Sequence, residues 1–377
     1  MRDVDFLVVG LGAVGSATLR ALAQRGRRVL GLDPHPPGHI YGSSHGESRI
    51  IRTAYYEDPL YVPLAQRAWQ LWEEAQERAR KELLLPTGAL MIGKEAGELV
   101  PRALESARAW SLPHELLTPL DVARRFPAFR IPSGYIALLE PKGGVLFPER
   151  ALVTWQAMAR EEGAEIHIPE KALSFEEEEG AVRVHTDQET YRAARLILAA
   201  GAWMPKLLPG VIPWEVERQV LHWWPLAEDP SPYHPSLFPV FMWERDEAHT
   251  FYGFPTLDGE TVKFSRHHGG QAVDPDSVPR DVIEEDRQPV AEGVAQLLPG
   301  LQTRPQRSSV CLYTNTPDHH FVLGLLPGSD RIFLASPCSG HGFKFMPALG
   351  EIMALLAEDK EPPYDLRLFA PERFRPS

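Results

Sequence analysis

A glycine-rich turn between two short apolar runs, near the start of the chain, constrains the fold more than any other feature. Residues 5–9 are typical of a buried strand, residues 10–15 (GLGAVG) follow directly, and residues 16–23 favour a helix. A second strand, residues 28–32, ends at Asp33. A GxGxxG sequence that follows a strand, opens a helix and precedes an acidic residue at the next strand's end predicts a dinucleotide-binding unit.

Each conspicuous residue of this unit has a physical role. Gly10 permits the tight turn, Gly12 lets a pyrophosphate approach the backbone, and Gly15 lets the helix pack closely on the strand. The helix N-terminus offers free N–H groups and partial positive charge to the phosphates. Asp33 would accept hydrogen bonds from an adenosine ribose. The motif alone does not distinguish NAD from FAD, and both stay open at this point.

Length and charge limit the classes of protein that the chain can represent. Its 377 residues are enough for two domains. A formal net charge of -12 argues against nucleic acid or an anionic membrane as a partner. No apolar run is long enough to span a membrane, and a strand starting at Asp5 leaves no room for a signal peptide. Two cysteines, Cys311 and Cys338, cannot form a disulfide framework, so we predict a cytoplasmic protein.

The order of predicted elements favours FAD over NAD. Nucleotide-binding elements lie at the start, middle and end of the chain, with two strand-rich inserts between them, whereas NAD enzymes usually complete this domain in one block. An elongated FAD needs a second binding unit for its flavin ring, which the glycine-rich junction at residues 340–344 would supply.

Predicted helices cover residues 16–23, 64–75, 151–162 and 348–357, and further predicted strands are 88–93, 165–168, 172–175, 181–186, 195–199, 218–224, 238–243, 250–254, 261–265 and 331–335.

We therefore predict an α/β protein with two discontinuous domains. A Rossmann-type FAD-binding domain comprises residues 1–83, 148–214 and 306–377. An α+β substrate domain with a mainly antiparallel sheet comprises residues 84–147 and 215–305. The aromatic strands of the second domain are expected to form one wall of a pocket.

Six blocks of sequence, spread over nearly the whole chain, resemble one family of enzymes. In chain order they are residues 42–52 (GSSHGESRIIR), 61–64 (YVPL), 140–146 (EPKGGVL), 252–255 (YGFP), 311–314 (CLYT) and 339–345 (SGHGFKF). Together they resemble the monomeric sarcosine oxidase and N-methyltryptophan oxidase family, FAD-dependent amine oxidases of the D-amino-acid oxidase superfamily. This match is far more specific than the glycine motif.

The resemblance implies an activity and its partners. Enzymes of this family oxidise the C–N bond of a secondary N-methyl amino acid, and oxygen reoxidises the flavin to give hydrogen peroxide. The imine then hydrolyses to formaldehyde and an amino acid. Sarcosine is the leading substrate, the expected partners are a small secondary amine and oxygen, and a monomer with no metal is expected.

The resemblance also assigns cofactor contacts. Cys311 matches the cysteine that links the family's flavin through its 8α-methyl group. The linkage needs a thiolate, which nearby positive charge favours, and His45 and Arg49 could contribute to that environment. The alternatives are an inert buried cysteine, or linkage through Cys338. Further implied cofactor contacts are Ser43, Arg49, Gly201, Gly340, Gly342 and Lys344.

Substrate contacts and catalytic roles follow from the same resemblance. Arg52 and Lys344 would bind the substrate carboxylate, since the planar fork of arginine suits that group. Lys263 would lie beside flavin N5 and assist oxygen reduction, whereas simple strand alternation would point it to solvent. The predicted catalytic residues are Lys263, His45, Arg49 and Tyr313, and the predicted pocket walls are Tyr252, His267, Tyr313 and Met242. Such aromatic and methionine residues are also common in plain cores.

The sequence departs from the family pattern at two places. Ser336-Pro337-Cys338 replaces the usual glycine and large apolar residue, and Thr53 follows Arg52 where histidine is usual.

Three alternative functions stay open. One is oxidation of a bulkier, cyclic or primary amino acid (N-methyltryptophan, pipecolate or proline, glycine); the others are an NAD dehydrogenase and a flavin-bearing subunit without turnover.

Overall fold

The structure is a computed structural model that describes residues 2–227 and 229–374. Its helices are α1 Ala13–Gln24, α2 Tyr61–Ala79, α3 Leu99–Ala109, α4 Pro119–Arg125, α5 Pro148–Glu161, α6 Met204–Leu207, α7 Glu284–Leu297 and α8 Met346–Ala357. Its strands are β1 Arg2–Val9, β2 Val29–Leu32, β3 Arg49–Ile51, β4 Leu84–Pro86, β5 Ala89–Lys94, β6 Glu115–Leu117, β7 Tyr135–Glu140, β8 Gly144–Leu146, β9 Glu165–His167, β10 Ala172–Glu178, β11 Ala181–Thr186, β12 Thr190–Leu198, β13 Glu215–Pro225, β14 Val240–Asp246, β15 His249–Gly253, β16 Thr261–His267, β17 Gln271–Ala272, β18 Arg307–Asn315, β19 Val322–Leu325 and β20 Ile332–Ser336.

Short 3₁₀ helices occupy some of the connections. They are Gly201–Trp203, Ser231–Tyr233, Phe343–Phe345, Arg367–Phe369 and Pro371–Phe374. In the part of the chain that the structure describes, no helix is both long enough and apolar enough to span a bilayer.

The first sheet is built from three separated parts of the chain. β1 pairs in parallel with β2 on one side and β12 on the other, β9 extends the sheet beyond β2, and β20 pairs in parallel with β12. The helices α1, α5 and α8 pack together on one face of this sheet. The carboxyl ends of β1, β2, β12 and β20 therefore meet at one edge, where open α/β sheets bind their ligands.

The second sheet is mainly antiparallel, as predicted, but it is mixed. Its order is β17-β13-β16-β15-β14-β5-β7-β6, with β18 also paired to β13. β5 and β14 run parallel, which joins the two strand-rich inserts. β18 pairs along its full length with β13, although we assign its residues to the FAD-binding domain. The proposed domain boundaries therefore stay a prediction.

Helix α7 was not predicted from the sequence, because the segment that contains it was expected to be rich in strands, with no helix between residues 265 and 301. It contains Pro289 and Gly293, which both lower helix propensity. Its packing explains Gly293, since a Cβ atom there would lie only 3.2 Å from the ring of Phe251. The glycine thus lets the helix lie close against the second sheet.

The two faces of the second sheet have different surroundings. Side chains of directly paired residues point to the same face, and successive residues alternate. Lys263 pairs with Trp223, Cys311 with Gln219, and Met242 with Tyr252. One face therefore carries Leu221, Trp223, Met242, Tyr252, Lys263, His267, Cys311 and Tyr313. The opposite face packs Trp224, Phe241, Phe251 and Phe264 with Val290, Val294 and Leu297 of α7.

Candidate active site

A cavity of about 580 Å³ connects the edge of the first sheet with one face of the second. At one end it is lined by the glycine motif and Asp33, and at the other by residues of the second sheet. It brings together most of the predicted site: Gly10, Gly12, Asp33, Ser43, Arg49, Arg52, Gly201, Met242, Tyr252, His267, Cys311, Tyr313, Gly340, Gly342 and Lys344.

The glycine motif is built as its spacing predicts. Gly10 has a φ of 92°, and a Cβ atom there would lie 2.6 Å from the carbonyl oxygen of Ala199. A Cβ atom at Gly15 would overlap the carbonyl oxygen of Gly10. Gly12 is the N-cap residue of α1, so no side chain caps this helix. The nearest atom to a Cβ built at Gly12 would be Ser44 Oγ, at 3.8 Å. The helix N-terminus is therefore open toward the cavity.

Asp33 lies where an acidic partner for a ribose is expected. One carboxylate oxygen accepts a hydrogen bond from the backbone N–H of Leu11 at 2.7 Å, and the other accepts from His35 N at 2.8 Å. Burial raises the pKa of Asp33, while these two backbone donors oppose that shift. The carboxylate is thus fixed at the wall of the cavity with lone pairs left for further donors.

Cys311 lies next to a cation. Its side chain is buried, and its Sγ is 3.7 Å from Nη2 of Arg49. The guanidinium of Arg49 is held by the carbonyl oxygens of Ser48 and Ser43, both at 2.7 Å. The loop of residues 42–49 therefore presents a positive charge to the thiol, as thiolate chemistry requires.

Lys263 contacts this loop from strand β16, and His45 is part of the loop; neither is among the described residues that line the large cavity. Lys263 is buried, and its Nζ donates to the carbonyl oxygens of Gly46 at 2.7 Å and Ser48 at 3.1 Å. Burial and the nearby Arg49 hold the pKa of Lys263 well below its usual range. Burial, together with Arg49 and Lys263, lowers the pKa of His45 to about 3, so the imidazole is neutral at neutral pH.

Arg52 is fully buried at the far end of the cavity and is already paired. Its Nη2 lies 2.8 Å from each carboxylate oxygen of Glu57, and its Nη1 donates to the carbonyl of Ala54 at 2.9 Å. The guanidinium carbon lies 4.1 Å from the ring centroid of Tyr55 and 4.9 Å from that of Tyr56. Glu57 was not predicted as a site residue. The sequence offered no sign of its role beyond its position, five residues after Arg52.

Lys344 shares this end of the cavity with Arg52. Its Nζ donates to the hydroxyl of Tyr55 at 3.1 Å and to the carbonyl of His341 at 2.7 Å. Burial and the charge of Arg52 lower the pKa of Lys344 to about 7, although Glu57 opposes the shift. Two cations and one carboxylate thus meet at one end of the cavity.

Aromatic side chains of the second sheet also line the cavity. Nδ1 of His267 lies 3.2 Å from the hydroxyl of Tyr313. Burial raises the pKa of Tyr252 to about 12, and burial with the nearby His268 lowers that of His267 well below its usual range. Both groups are therefore neutral at neutral pH. A Cβ atom at Gly340 would overlap the Tyr313 ring, so this glycine permits the close approach of its loop.

The two departures from the family pattern have local explanations. The backbone N–H of Thr53 donates to Glu140 Oε1 at 2.7 Å, and the Thr53 hydroxyl binds the same oxygen. The carbonyl of Pro337 approaches Gly342 so closely that a side chain there would overlap it. Burial raises the pKa of Cys338 to about 11, so its thiol is protonated at neutral pH. Cys338 is therefore a poorer candidate for flavin linkage than Cys311.

A family model of FAD dependent oxidoreductases matches residues 5–356. The chain belongs to this family. Monomeric sarcosine oxidase of Streptomyces avermitilis is 38% identical to it over 373 residues, which cover 98% of this chain and 97% of that protein. N-methyl-L-tryptophan oxidase of Yersinia pestis is 35% identical over 375 residues, covering 99% and 100%. The protein is thus an FAD-dependent oxidoreductase, and the predicted family is confirmed.

Solved structures agree with this assignment. NikD, described as an unusual amino acid oxidase essential for nikkomycin biosynthesis, superimposes with a TM-score of 0.85 at 26% identity, and 98% of each chain is covered. L-proline dehydrogenase of P. horikoshii has a TM-score of 0.86 at 22% identity, covering 99% of this chain and 98% of that one. The second likeness shows a shared fold only.

The cavity fits FAD. Its glycine motif and Asp33 suit the ADP half, while the thiol and the second sheet's face suit the flavin half. Twelve buried side-chain atoms of the described residues have no hydrogen-bond partner, and two of them, Thr314 Oγ1 and Arg52 Nε, belong to residues that line the cavity. Buried polar atoms are rarely left unpaired, so an unpaired hydroxyl on this wall favours a polar ligand.

One group of possible metal ligands occurs within residues 2–227 and 229–374, formed by His167, Glu170 and Glu189. Its members are joined by the hydroxyl of Tyr191, which lies 2.9 Å from His167 Nδ1 and 3.0 Å from a Glu170 oxygen. These hydrogen bonds account for the clustering of the three side chains without a bound ion. The absence of a metal stays a prediction.

Proposed function

We propose that the protein oxidises an N-methyl amino acid, with sarcosine as the leading substrate, and passes the electrons to oxygen. One observation carries this proposal: Arg52 and Lys344 converge at one end of a cavity whose other end is a dinucleotide-binding motif. Relatives named for sarcosine and N-methyltryptophan support the substrate class. The overall reaction would be sarcosine + O₂ + H₂O → glycine + formaldehyde + H₂O₂.

The charges at the cavity end suit a single carboxylate. Arg52 and protonated Lys344 contribute two positive charges, and Glu57 contributes one negative charge. The group is therefore left with one net positive charge, which one substrate carboxylate would neutralise. Because Glu57 already holds Arg52 in place, little side-chain ordering remains to be done when the substrate binds.

The walls of the cavity would bind the substrate as a neutral amine. Tyr252, His267 and Tyr313 are neutral near pH 7, because burial raises the pKa of each tyrosine and lowers that of the histidine. They can orient the amine nitrogen by hydrogen bonds without adding charge beside it. FAD, when bound, supplies the acceptor for the two electrons that leave the C–N bond.

We infer that Lys263 assists the reaction with oxygen. Burial and the nearby Arg49 hold the pKa of Lys263 well below its usual range, and its Nζ is fixed by the carbonyl oxygen of Gly46. Negative charge that develops on oxygen would favour protonation of this amine, and the ammonium so formed would stabilise that charge. Lys263→Met should lower the rate of flavin reoxidation by about 10²–10³-fold, the scale for removing one such preorganised donor. Flavin reduction by substrate should change far less, and stopped-flow spectroscopy separates the two half-reactions.

We propose that FAD is linked covalently to Cys311. Cys311 lines the large cavity, and its Sγ lies 3.7 Å from Nη2 of Arg49. The intact mass after acid denaturation should include one FAD, and Cys311→Ser should lose it, whereas Cys338→Ser should keep it. Free flavin in the supernatant of acid-denatured wild type would contradict the linkage while leaving the oxidase proposal in place.

A substrate panel tests the activity itself. Peroxide release should be fastest with sarcosine among sarcosine, N-methyltryptophan, proline, pipecolate and glycine. A faster reaction with one of the other amino acids would assign that substrate instead. Flavin reduction without peroxide release would contradict the oxidase assignment. The monomeric state and the cytoplasmic location remain predictions, and light scattering would test the former.

A further inference from the structure

A segment between β17 and α7, residues 273–283, forms neither helix nor strand. The backbone N–H of Val273 donates to the carbonyl oxygen of Val216 in β13, at 2.8 Å. Farther along the segment, the buried Arg218 of β13 donates from Nε to the carbonyl oxygen of Pro279, also at 2.8 Å. The segment is therefore fixed to the second sheet at two points, and the residues between them extend away from β13.

The middle of this segment contacts a loop of the first sheet, which follows β12. Trp203 Nε1 donates to Asp276 Oδ1 at 2.8 Å. Lys206 Nζ lies 2.7 Å from Asp274 Oδ1 and also binds the carboxylate of Asp276. Two side chains of the loop are thus held by two carboxylates of the segment.

Arg280 contacts a second loop of the first sheet, residues 34–44, which follows β2. Its Nη1 donates to the carbonyl oxygens of Ile40 at 2.8 Å and Val310 at 3.0 Å, and its Nη2 donates to that of Tyr41 at 3.0 Å. One guanidinium therefore joins this loop to β18 of the second sheet. Through Arg280 and its carboxylates, the segment is bonded to both loops.

The two loops lie close together at the large cavity. A Cβ atom at Gly42 would lie 3.3 Å from the ring of His39 and 4.0 Å from the ring of Trp203, across the gap between the loops. The cavity runs from the glycine motif to the second sheet, so a dinucleotide held at both ends would lie beside these loops. Residues of both loops and of the segment line it: His39, Gly42, Ser43, Trp203, Lys206 and Asp276.

We propose that residues 273–283 are a clasp that holds the two loops together beside bound FAD and slows its release. FAD that leaves on this side would have to part the loops, which breaks the hydrogen bonds of Arg280. Among the described residues, neither Arg280 nor Asp274 lines the cavity, so both act as positioning residues and not as cofactor contacts. The proposal needs only FAD binding, and it is independent of the substrate and of the covalent link.

Release of FAD from Cys311→Ser holoprotein tests the clasp, with free-flavin fluorescence followed after dilution. Adding Arg280→Ala should raise the dissociation rate about 10- to 100-fold, the scale of losing hydrogen bonds from a charged donor. Arg287→Ala is the matched control and should leave the rate unchanged. Within the described residues, Arg287 donates to the carbonyl oxygen of Val282 in the same segment, at 2.6 Å, and pairs with Glu284, but bonds to neither loop.

Asp274→Ala tests the other half of the clasp. It should raise the dissociation rate several-fold, less than Arg280→Ala, because the ion pair of Asp274 with Lys206 is partly exposed. Hydrogen exchange adds a readout that needs no flavin: amides of residues 34–44 should exchange faster in flavin-free Arg280→Ala than in its flavin-free parent.

Equal FAD dissociation rates in Arg280→Ala and its parent would overturn the clasp, as would an equal increase in Arg287→Ala. Unchanged exchange of residues 34–44 would count against it in the same way. If Arg280→Ala does not fold, Asp274→Ala decides, and an unchanged dissociation rate in that variant overturns the proposal.

Discussion

Nη2 of Arg52 lies 2.8 Å from both carboxylate oxygens of Glu57, deep in the cavity end where the substrate carboxylate is proposed to bind. Burial alone would lower the pKa of Arg52, but Glu57 and the flanking tyrosines outweigh it and raise the pKa. The pKa of Glu57 falls because Arg52, His341 and Lys344 outweigh its own burial. The pair is therefore ionised before any substrate arrives, and the substrate must compete with or add to an existing interaction.

Arg52→Ala should weaken binding of the substrate carboxylate. The loss of a charged hydrogen bond, about 1.5–3 kcal/mol, corresponds to a rise in KM of about 10- to 150-fold. Arg52→Lys should recover only part of this loss, because it keeps the charge but not the planar fork. Steady-state kinetics would measure both variants, with Arg28→Ala, at an exposed ion pair with Asp5, as the control. An unchanged KM in Arg52→Ala would exclude the assigned role.

Glu57→Gln should strengthen the binding of carboxylates while lowering the free energy of unfolding. It removes the negative charge that neutralises Arg52, so carboxylate inhibitors should bind several-fold more tightly. It also leaves a buried guanidinium without its ionic partner, which should cost about 1–3 kcal/mol of unfolding free energy. Glu74→Gln removes an exposed carboxylate from an ion pair with Arg67 and should change neither quantity. Calorimetric titration with acetate and denaturant unfolding would test both expectations, and weaker acetate binding in Glu57→Gln would contradict the first.

Carboxylate binding should depend on pH near neutrality. Lys344 has a pKa of about 7, because burial and Arg52 disfavour its charged form. A bound carboxylate favours the ammonium form of Lys344 and raises that pKa. The affinity of the protein for the carboxylate is therefore highest below about pH 7. The affinity should then fall as pH rises through the higher pKa of the complex. Acetate, which does not titrate in this range, is the suitable probe, and Lys344→Met should bind it weakly with no such dependence.

Two glycines of the first turn should respond differently to alanine. A Cβ atom at Gly15 would overlap the Gly10 carbonyl, so Gly15→Ala should destabilise the fold by about 1–3 kcal/mol, the usual cost of overpacking. A Cβ atom at Gly12 has room, so Gly12→Ala should fold normally but bind FAD less tightly. Both are best compared in a Cys311→Ser background, where flavin content and thermal unfolding can be measured separately. Equal unfolding temperatures for the two would contradict this reasoning.

Sequence reasoning could predict features that depend on local spacing. The glycine turn, Asp33 and the parallel strands that surround them follow from chain-neighbour sterics and apolar runs. The aromatic strands were predicted as one wall, and alternation explains why Met242, Tyr252, Cys311 and Tyr313 share a face once the strand pairing is known. The pairing itself, including the parallel contact of β5 with β14, joins residues about 150 positions apart and leaves no local trace.

The site's electrostatics could not be predicted in the same way. Glu57 becomes the partner of Arg52 only because the loop turns back on itself after Thr53 and Ala54, whose backbone N–H groups are bound by Glu140. Lys263 was expected at the flavin, but its Nζ donates to the carbonyl oxygens of Gly46 and Ser48, so its position depends on the placement of that loop. Such relationships depend on tertiary packing of segments that are distant in sequence.

The pairing of β18, β13 and β16 has a consequence for the local unfolding of the second sheet. Cys311 pairs with Gln219 and Lys263 pairs with Trp223, four residues further along the same strand, or roughly 13 Å at the usual rise per residue. Two ladders that share β13, one with β18 and one with β16, therefore set the spacing between these two side chains along the sheet. Neither side chain can be displaced without breaking one of these ladders, so amide protons of all three strands should exchange with solvent as a single cooperative unit.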